Sequence, residues 1–174
     1  FAIDVSAVDA QAATGGVRIN FIPRDGGNRY SGLVFGSFAG EDFGGDNFTG
    51  SDVQTRGLTA PNAIKGNGDF NPGFGGPIVR DKLWFYGGYA KQTKSEGTLG
   101  FAADAGPDGR YLTGDEPQAY FESSLYQYSL KTSYQMSKNN RFVYAWQRGV
   151  KAQPQNGGGR FRPLEATRDY LNPT

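Results

Sequence analysis

The sequence predicts an all-β fold, and three observations carry that prediction. Gly is abundant, at 27 of 174 residues, about twice the usual share of roughly 7%. Aromatic residues are abundant too, with 13 Phe, 10 Tyr and 2 Trp. From Gly15 onward apolar residues recur with a period of two, the repeat of a half-buried strand, and helix-type spacing is scarce. Only Val5 to Ala13 has the composition of a short helix.

The elements follow in order. Val17, Ile19 and Phe21 share one face of a strand at 16–22, with Arg18 and Asn20 on the other. Pro23-Arg24-Asp25-Gly26-Gly27-Asn28 ends it with turn chemistry. A strand at 30–39 carries apolar residues on both faces, Leu33 and Phe35 on one and Tyr30, Val34 and Phe38 on the other, so its outer face stays open at this point. Residues 41–66 form a long polar loop without strand pattern. The strand at 69–79 sets Phe70, Phe74 and Ile78 against Asp69, Asn71, Gly73 and Gly75. Pro72 and Pro77 are awkward within it, because each removes a ladder donor. After Arg80-Asp81-Lys82 a strand opens with Leu83-Trp84-Phe85-Tyr86 and turns polar from Lys91. Residues 96–120 are a second long loop. In 124–136, Tyr126, Tyr128, Leu130, Tyr134 and Met136 alternate with Gln127, Ser129, Lys131, Ser133 and Gln135. After Ser137-Lys138-Asn139-Asn140 the strand at 141–150 returns with Phe142, Tyr144, Trp146 and Val150 on one face. Residues 151–163 are a third long loop, and the end of the chain begins one more strand.

Composition excludes several functions. The chain has no Cys and no His, so it holds no His-based triad, no thiol nucleophile, no Cys/His zinc site and no disulfide. Lys plus Arg number 18 and Asp plus Glu 17, too even a balance for a generic nucleic-acid binder. No apolar run reaches the ~20 residues of a membrane-spanning helix. A β-barrel escapes that test, because its strands alternate.

Two features favour a transmembrane barrel over a secreted β-sandwich. The apolar faces are rich in Tyr, Phe and Trp, as interfacial girdles are, rather than in Val, Ile and Leu. Connections also alternate: 80–82 and 137–140 are short, whereas 41–66, 96–120 and 151–163 are long. Outer-membrane barrels show that asymmetry. About five strands are too few to close a barrel, for which the minimum is about 8. The expectation is therefore an open part of a larger antiparallel barrel, in a chain read as an excerpt of a longer protein.

Particular residues resemble a known family. Thr14-Gly15-Gly16-Val17-Arg18-Ile19-Asn20-Phe21-Ile22-Pro23-Arg24-Asp25-Gly26-Gly27-Asn28 resembles the end of the plug domain of TonB-dependent outer-membrane receptors. Tyr30-Ser31-Gly32-Leu33-Val34-Phe35-Gly36 resembles their first barrel strand. Gly73-Phe74-Gly75-Gly76-Pro77-Ile78-Val79-Arg80-Asp81-Lys82-Leu83-Trp84-Phe85-Tyr86-Gly87 resembles their first periplasmic hairpin. Arg56-Gly57-Leu58-Thr59 and Asp69-Phe70-Asn71-Pro72-Gly73 narrow the resemblance to the Oar-like subset. It implies the end of a plug at 1–28 and the first strands and outer loops of a barrel at 29–174. The family's barrel has about 22 strands and a plugged lumen. The implied role is active import of a bulky nutrient (saccharide, peptide or metal chelate) through the outer membrane, driven by the TonB complex. The implied partners are outer-membrane lipid, TonB, which engages a box outside these residues, and the imported ligand; nucleic acid is not among them. The implied protein is not an enzyme and needs no cofactor.

Several candidate sites compete with plainer readings. Arg18, Asn20, Arg24 and Asp25 are placed to bond to a polar inner wall, or else are solvated turn residues. Glu41, Asp42, Asp46 and Asp52 offer oxygens for calcium, but not at EF-hand spacing, and a solvated acidic loop is expected. Asp104-Ala105-Gly106-Pro107-Asp108-Gly109 reads as a turn. Asn47-Phe48-Thr49 matches a glycosylation acceptor that a bacterial outer membrane leaves unused. Glu41 with Asp42, and Asp115 with Glu116, are adjacent pairs, whereas glycosidase carboxylates oppose each other across a bond. Trp84, Tyr86, Tyr126, Tyr128 and Trp146 are assigned to lipid-interface anchoring rather than sugar stacking. Gly73-Phe74-Gly75-Gly76 lacks the strand-to-helix context of a nucleotide loop. No catalytic, cofactor or metal residue is assigned, and no ligand-binding residue is legible.

Overall fold

The computed structural model describes residues 2–4, 18–20, 24–44 and 63–173. Strands β1 (Ala2–Asp4) and β2 (Arg18–Asn20) pair antiparallel, with Ile3 opposite Ile19. The remaining strands form a single open sheet in sequence order: β3 (Ser31–Gly40), β4 (Ala63–Val79), β5 (Leu83–Ala102), β6 (Gln118–Ser137), β7 (Asn140–Asn156) and β8 (Arg168–Pro173). Each pairs antiparallel with the next. The fold is thus all-β, and its sheet has six strands where about five were expected.

The strands are also longer than hydropathy suggests. β4 begins at Ala63, inside the expected loop; β5 runs to Ala102, β6 starts at Gln118, and β7 ends at Asn156. The long connections therefore shrink to 103–117 and 157–167. The reason is that ladder pairing continues after the apolar alternation stops. Lys94 still faces Ser123, and Ser95 faces Glu122, although the apolar alternation has stopped in both strands there. At about 3.3 Å per residue, the 20 residues of β5 or β6 span roughly 66 Å, about twice a ~30 Å hydrocarbon core. The expected helix at 5–13 and the middle of the first long loop lie outside the described residues.

The two prolines are accommodated by faults in one ladder. Pro72 pairs with Val34 of β3, but pairing of β4 with β5 lapses between Phe70–Lys91 and Gly73–Gly88. Pro77 sits beside a register shift before Val79. A strand can hold Pro where its missing N–H is not needed, and a bulge or a lapse supplies such a place.

Direct partners across a ladder share a face, so register assigns every side chain. One face carries Val34 and Phe38; Phe70, Phe74 and Ile78; Leu83, Phe85 and Tyr89; Tyr126, Tyr128, Leu130 and Tyr134; and Phe142, Tyr144 and Trp146. Tyr30 continues it: its ring stacks on Phe74 at 5.8 Å. This settles which residues of β3 join the ring face, because Gly36 lies opposite Phe70 and Gly32 opposite Phe74. The other face carries Asp69, Asn71, Gln92, Gln127, Ser129, Lys131, Ser133, Gln135, Arg141 and Gln147, with apolar Leu33, Phe35 and Val143 among them.

The ring face is bare. Phe38 is 75% exposed, Val34 69% and Phe142 58%. No second layer covers it among the described residues, as a sandwich requires. Among the described residues, Phe101 and Ala119 are the buried hydrophobic ones, and they lie near the long-loop end.

Candidate functional site

The site is the polar face near the short-turn end, where residues 24–29 lie across it. Three chemical features bring them there. Gly26 comes first: a Cβ on it would collide with the Phe85 carbonyl oxygen, so only glycine lets the segment approach the β5 backbone so closely.

Asp25 then places its carboxylate over the facing row of β6 and β7. Its Oδ1 lies 2.9 Å from Lys131 Nζ and 3.8 Å from Arg141, and it accepts a bond from the Ser133 hydroxyl at 3.4 Å. Ser133 is 2% exposed. The bond from Lys131 is the main cause that holds the Asp25 carboxyl below its ordinary pKa; burial opposes it, and the Lys131 and Arg141 charges and Ser133 reinforce it.

Asn28 closes the other end. Its Oδ1 accepts from the Asp81 backbone N–H at 2.9 Å and from Trp84 Nε1 at 2.7 Å, and its Nδ2 donates to the Asp81 carboxylate. Asp81 has φ 58 in the tight β4–β5 turn, a conformation that Asp tolerates better than most residues. Arg141 lies over the Trp84 ring at 5.7 Å from its centroid. One amide thus ties the segment to the turn and to the first residues of β5.

These contacts sort the sequence-derived candidates. Of its two readings, Asp25 takes the first and bonds to the polar wall. Arg24 lines a cavity of about 370 Å³ on that wall with Gln127, Ser129, Lys131 and Gln147. Arg18 and Asn20 lie in β2, and their side chains are outside the description. Trp84 and Tyr86 correct the anchoring assignment: Trp84 faces Ser133 and Tyr86 faces Lys131, so both are on the polar face. The Tyr86 ring lies over Gly73 and Gly75, where a Cβ would collide with it. Tyr126, Tyr128 and Trp146 remain on the ring face.

Sequence reading missed Asn28, Lys131, Ser133 and Arg141. A signal for Lys131 was present, as a lone cation in the amide and hydroxyl row Gln127, Ser129, Ser133, Gln135. Nothing local marked Asn28, whose partners are more than fifty residues away.

The acidic loops hold themselves. Asp104 accepts from Gly106 N–H and Asp108 from Arg110 N–H, both at 2.8 Å, so this stretch is built of turns as expected. Glu116 accepts from the N–H groups of Thr113 and Gly114, and Asp115 from the Thr113 hydroxyl. The Thr113 N–H bond is the first cause that lowers the Glu116 pKa. Their carboxylate oxygens thus serve the loop's own N–H and hydroxyl groups. Glu41 and Asp42 lie in a short 3₁₀ turn (Glu41–Phe43), while Asp46, Asn47 and Asp52 lie outside the described residues.

The chain is similar over 80 residues to the TonB-dependent transporter Oar of Myxococcus xanthus, at 39% identity. The stretch covers 45% of this chain and 7% of that protein, so the chain spans a small part of the relative's length. No family model matches the chain, and no solved structure matches it. The partial similarity supports the TonB-dependent receptor family.

Proposed function

We propose that this chain is the junction between plug and barrel, with the first barrel strands, of an Oar-like TonB-dependent receptor. Residues 1–28 are the end of the plug and 29–174 the start of an incomplete barrel. The carrying observation is the two-faced sheet with a polar segment docked on one side only. Rings meet lipid on one face, and Asp25, Asn28 and the amide rows meet the lumen on the other. The apolar band on β6, from Tyr126 to Met136, matches the roughly 9–11 residues that a tilted strand needs to cross. Leu33, Phe35 and Val143, exposed on the polar face, give a packed plug apolar surface to cover.

The receptor sits in the outer membrane, takes energy from TonB through a segment outside this chain, and imports a bulky nutrient without enzymatic chemistry. Short turns face the periplasm and long loops face outward. The test uses the intact receptor. It fractionates with the outer membrane, needs detergent for extraction, and migrates faster on a gel unboiled than boiled. Deleting it, or TonB, abolishes growth on the same member of a nutrient panel. A soluble monomer in the periplasm or medium overturns the reading in favour of a secreted carbohydrate-binding sandwich. An outer-membrane barrel whose loss affects no nutrient leaves a surface or assembly role without transport.

A further inference from the structure

We propose that the ring face carries a docking site for an anionic, phosphate-bearing lipid headgroup, built from Lys91 and Arg148 at the outward edge of the apolar band. The proposal rests on the lipid-facing reading of that face. Register sets the site: Lys91 lies opposite Tyr126, which lies opposite Val150; one step toward the short turns, Tyr89 lies opposite Tyr128, which lies opposite Arg148. The two cations thus bracket a pair of tyrosines from either side. By ladder spacing their backbones are about 12 Å apart, so two long side chains can converge on one headgroup.

The rings are arranged as an interface. Tyr89 and Tyr128 contact each other with centroids at 5.3 Å, and Lys91 Nζ stands 5.7 Å from the centre of the Tyr126 ring. Toward the short turns, the same face continues as Leu130, Trp146, Tyr134 and Phe142, where acyl chains pack. Outward, it continues as Thr93, Ser124 and Ala152, which are neutral. Among the described residues, carboxylates on this face come only beyond that row: Glu122 on β6 and, by alternation, Asp169 on β8. No ion pair to Lys91 or Arg148 occurs among the described residues. Two cations that face lipid at the tyrosine row, with apolar surface on one side and no counter-ion alongside, match a molecule that has both acyl chains and negative charge. A soluble anion has no use for the apolar half, and a zwitterionic headgroup brings no net charge.

Trp146 lies on the same face, two residues from Arg148, and reports on the site. The intact receptor is placed in nanodiscs of phosphatidylcholine with brominated phosphatidylglycerol, or the reverse labelling. Quenching assigned to Trp146 is taken as the difference from a Trp146→Phe variant. Brominated phosphatidylglycerol is expected to compete roughly tenfold better than its share of the bilayer, the scale for two interfacial cations after salt screening. Lys91→Gln with Arg148→Gln abolishes the preference, and Lys91→Arg with Arg148→Lys keeps it. Unchanged quenching by brominated phosphatidylcholine in each variant shows that the barrel is still inserted. Equal quenching by both lipids in the unaltered receptor overturns the headgroup site and leaves the barrel standing. Loss of the preference on adding inorganic phosphate reassigns the pair to a soluble anion and overturns the lipid. Absence of quenching by either lipid overturns the lipid-facing reading and this site with it.

Discussion

The two faces of the sheet use the same residue classes for opposite ends, and Trp84 and Trp146 show how. Trp146 lies opposite Leu130 on the ring face, and its indole serves as apolar surface. Trp84 lies opposite Ser133 on the polar face; there its Nε1 donates to Asn28 while Arg141 covers its ring. An aromatic residue in a barrel strand is therefore not a lipid anchor by type. Its parity decides, since a strand sends successive side chains to opposite sides. The ring face is held together by contacts between rings and needs an apolar solvent. The polar face is held by a few specific bonds and accepts a segment from elsewhere in the chain.

The largest test of that contrast is charge. Leu130→Arg, in the middle of the ring face, is expected to destabilise the inserted receptor by about 2–4 kcal/mol. Gln127→Arg, on the polar face, changes stability by less than about 1 kcal/mol, because that side chain is exposed to water. Urea titration in lipid vesicles measures both, and equal costs would erase the distinction between the faces.

A smaller effect is expected at the docked segment. Asn28→Ala removes an acceptor for two N–H groups and a donor to Asp81, for a loss of about 1–3 kcal/mol in local opening. Hydrogen exchange should rise in residues 24–29 and the β4–β5 turn, with the middle of β6 unchanged. Trp84→Phe keeps the ring but loses one bond, at a cost of about 1 kcal/mol. If it raises exchange as much as Asn28→Ala, the indole bond is the main tie.

Smaller still is the effect of pH. Because the folded-state pKa of Asp25 lies below its unfolded value, the pairing with Lys131 and Arg141 is present above the unfolded carboxylate value. It is lost as pH falls through the lowered folded value, hence below the ordinary 3.8. Asp25 is about half exposed, which limits the contribution to about 1 kcal/mol or less. Proteolysis of the segment should accelerate in that acid range and stay flat in Asp25→Asn, which is more readily cut at neutral pH. Acceleration already between pH 6 and 7 would assign the tie to another group.

The smallest effect is expected at the long-loop end. The Tyr111 hydroxyl donates to Glu165 at 2.9 Å, which links the two long loops and raises the tyrosine pKa. Tyr111→Phe should speed exchange in 103–117 and 157–167 without altering the strands. Phe101, buried against Gly158, holds the loops independently of that bond. An effect on strand exchange would show that the loops support the sheet.

Alternation in 124–136 and 141–150 was enough to read strands, turns and the difference between short and long connections. It failed at 63–66, 96–102, 118–123 and 151–156, where polar residues keep pairing because their ladder partners do. It also left β3 undecided, since both of its faces are apolar. At the site, Asp25 was legible as a charge in turn sequence beside a polar wall. Its partners were not, and the parity of Trp84 and Tyr86 was masked by a run of four consecutive apolar residues.

What the sequence determined by itself was the period of two, the absence of thiol and imidazole chemistry, and the spacing of turns. These are local properties, set by which residue follows which. The tertiary structure alone decided which face of the sheet each side of β3 and the Trp84 ring joins, and that Gly26, Asp25 and Asn28 lie on β5 and its neighbours. Those outcomes depend on register between strands and on bonds spanning more than fifty residues, and no local run of residues encodes a register.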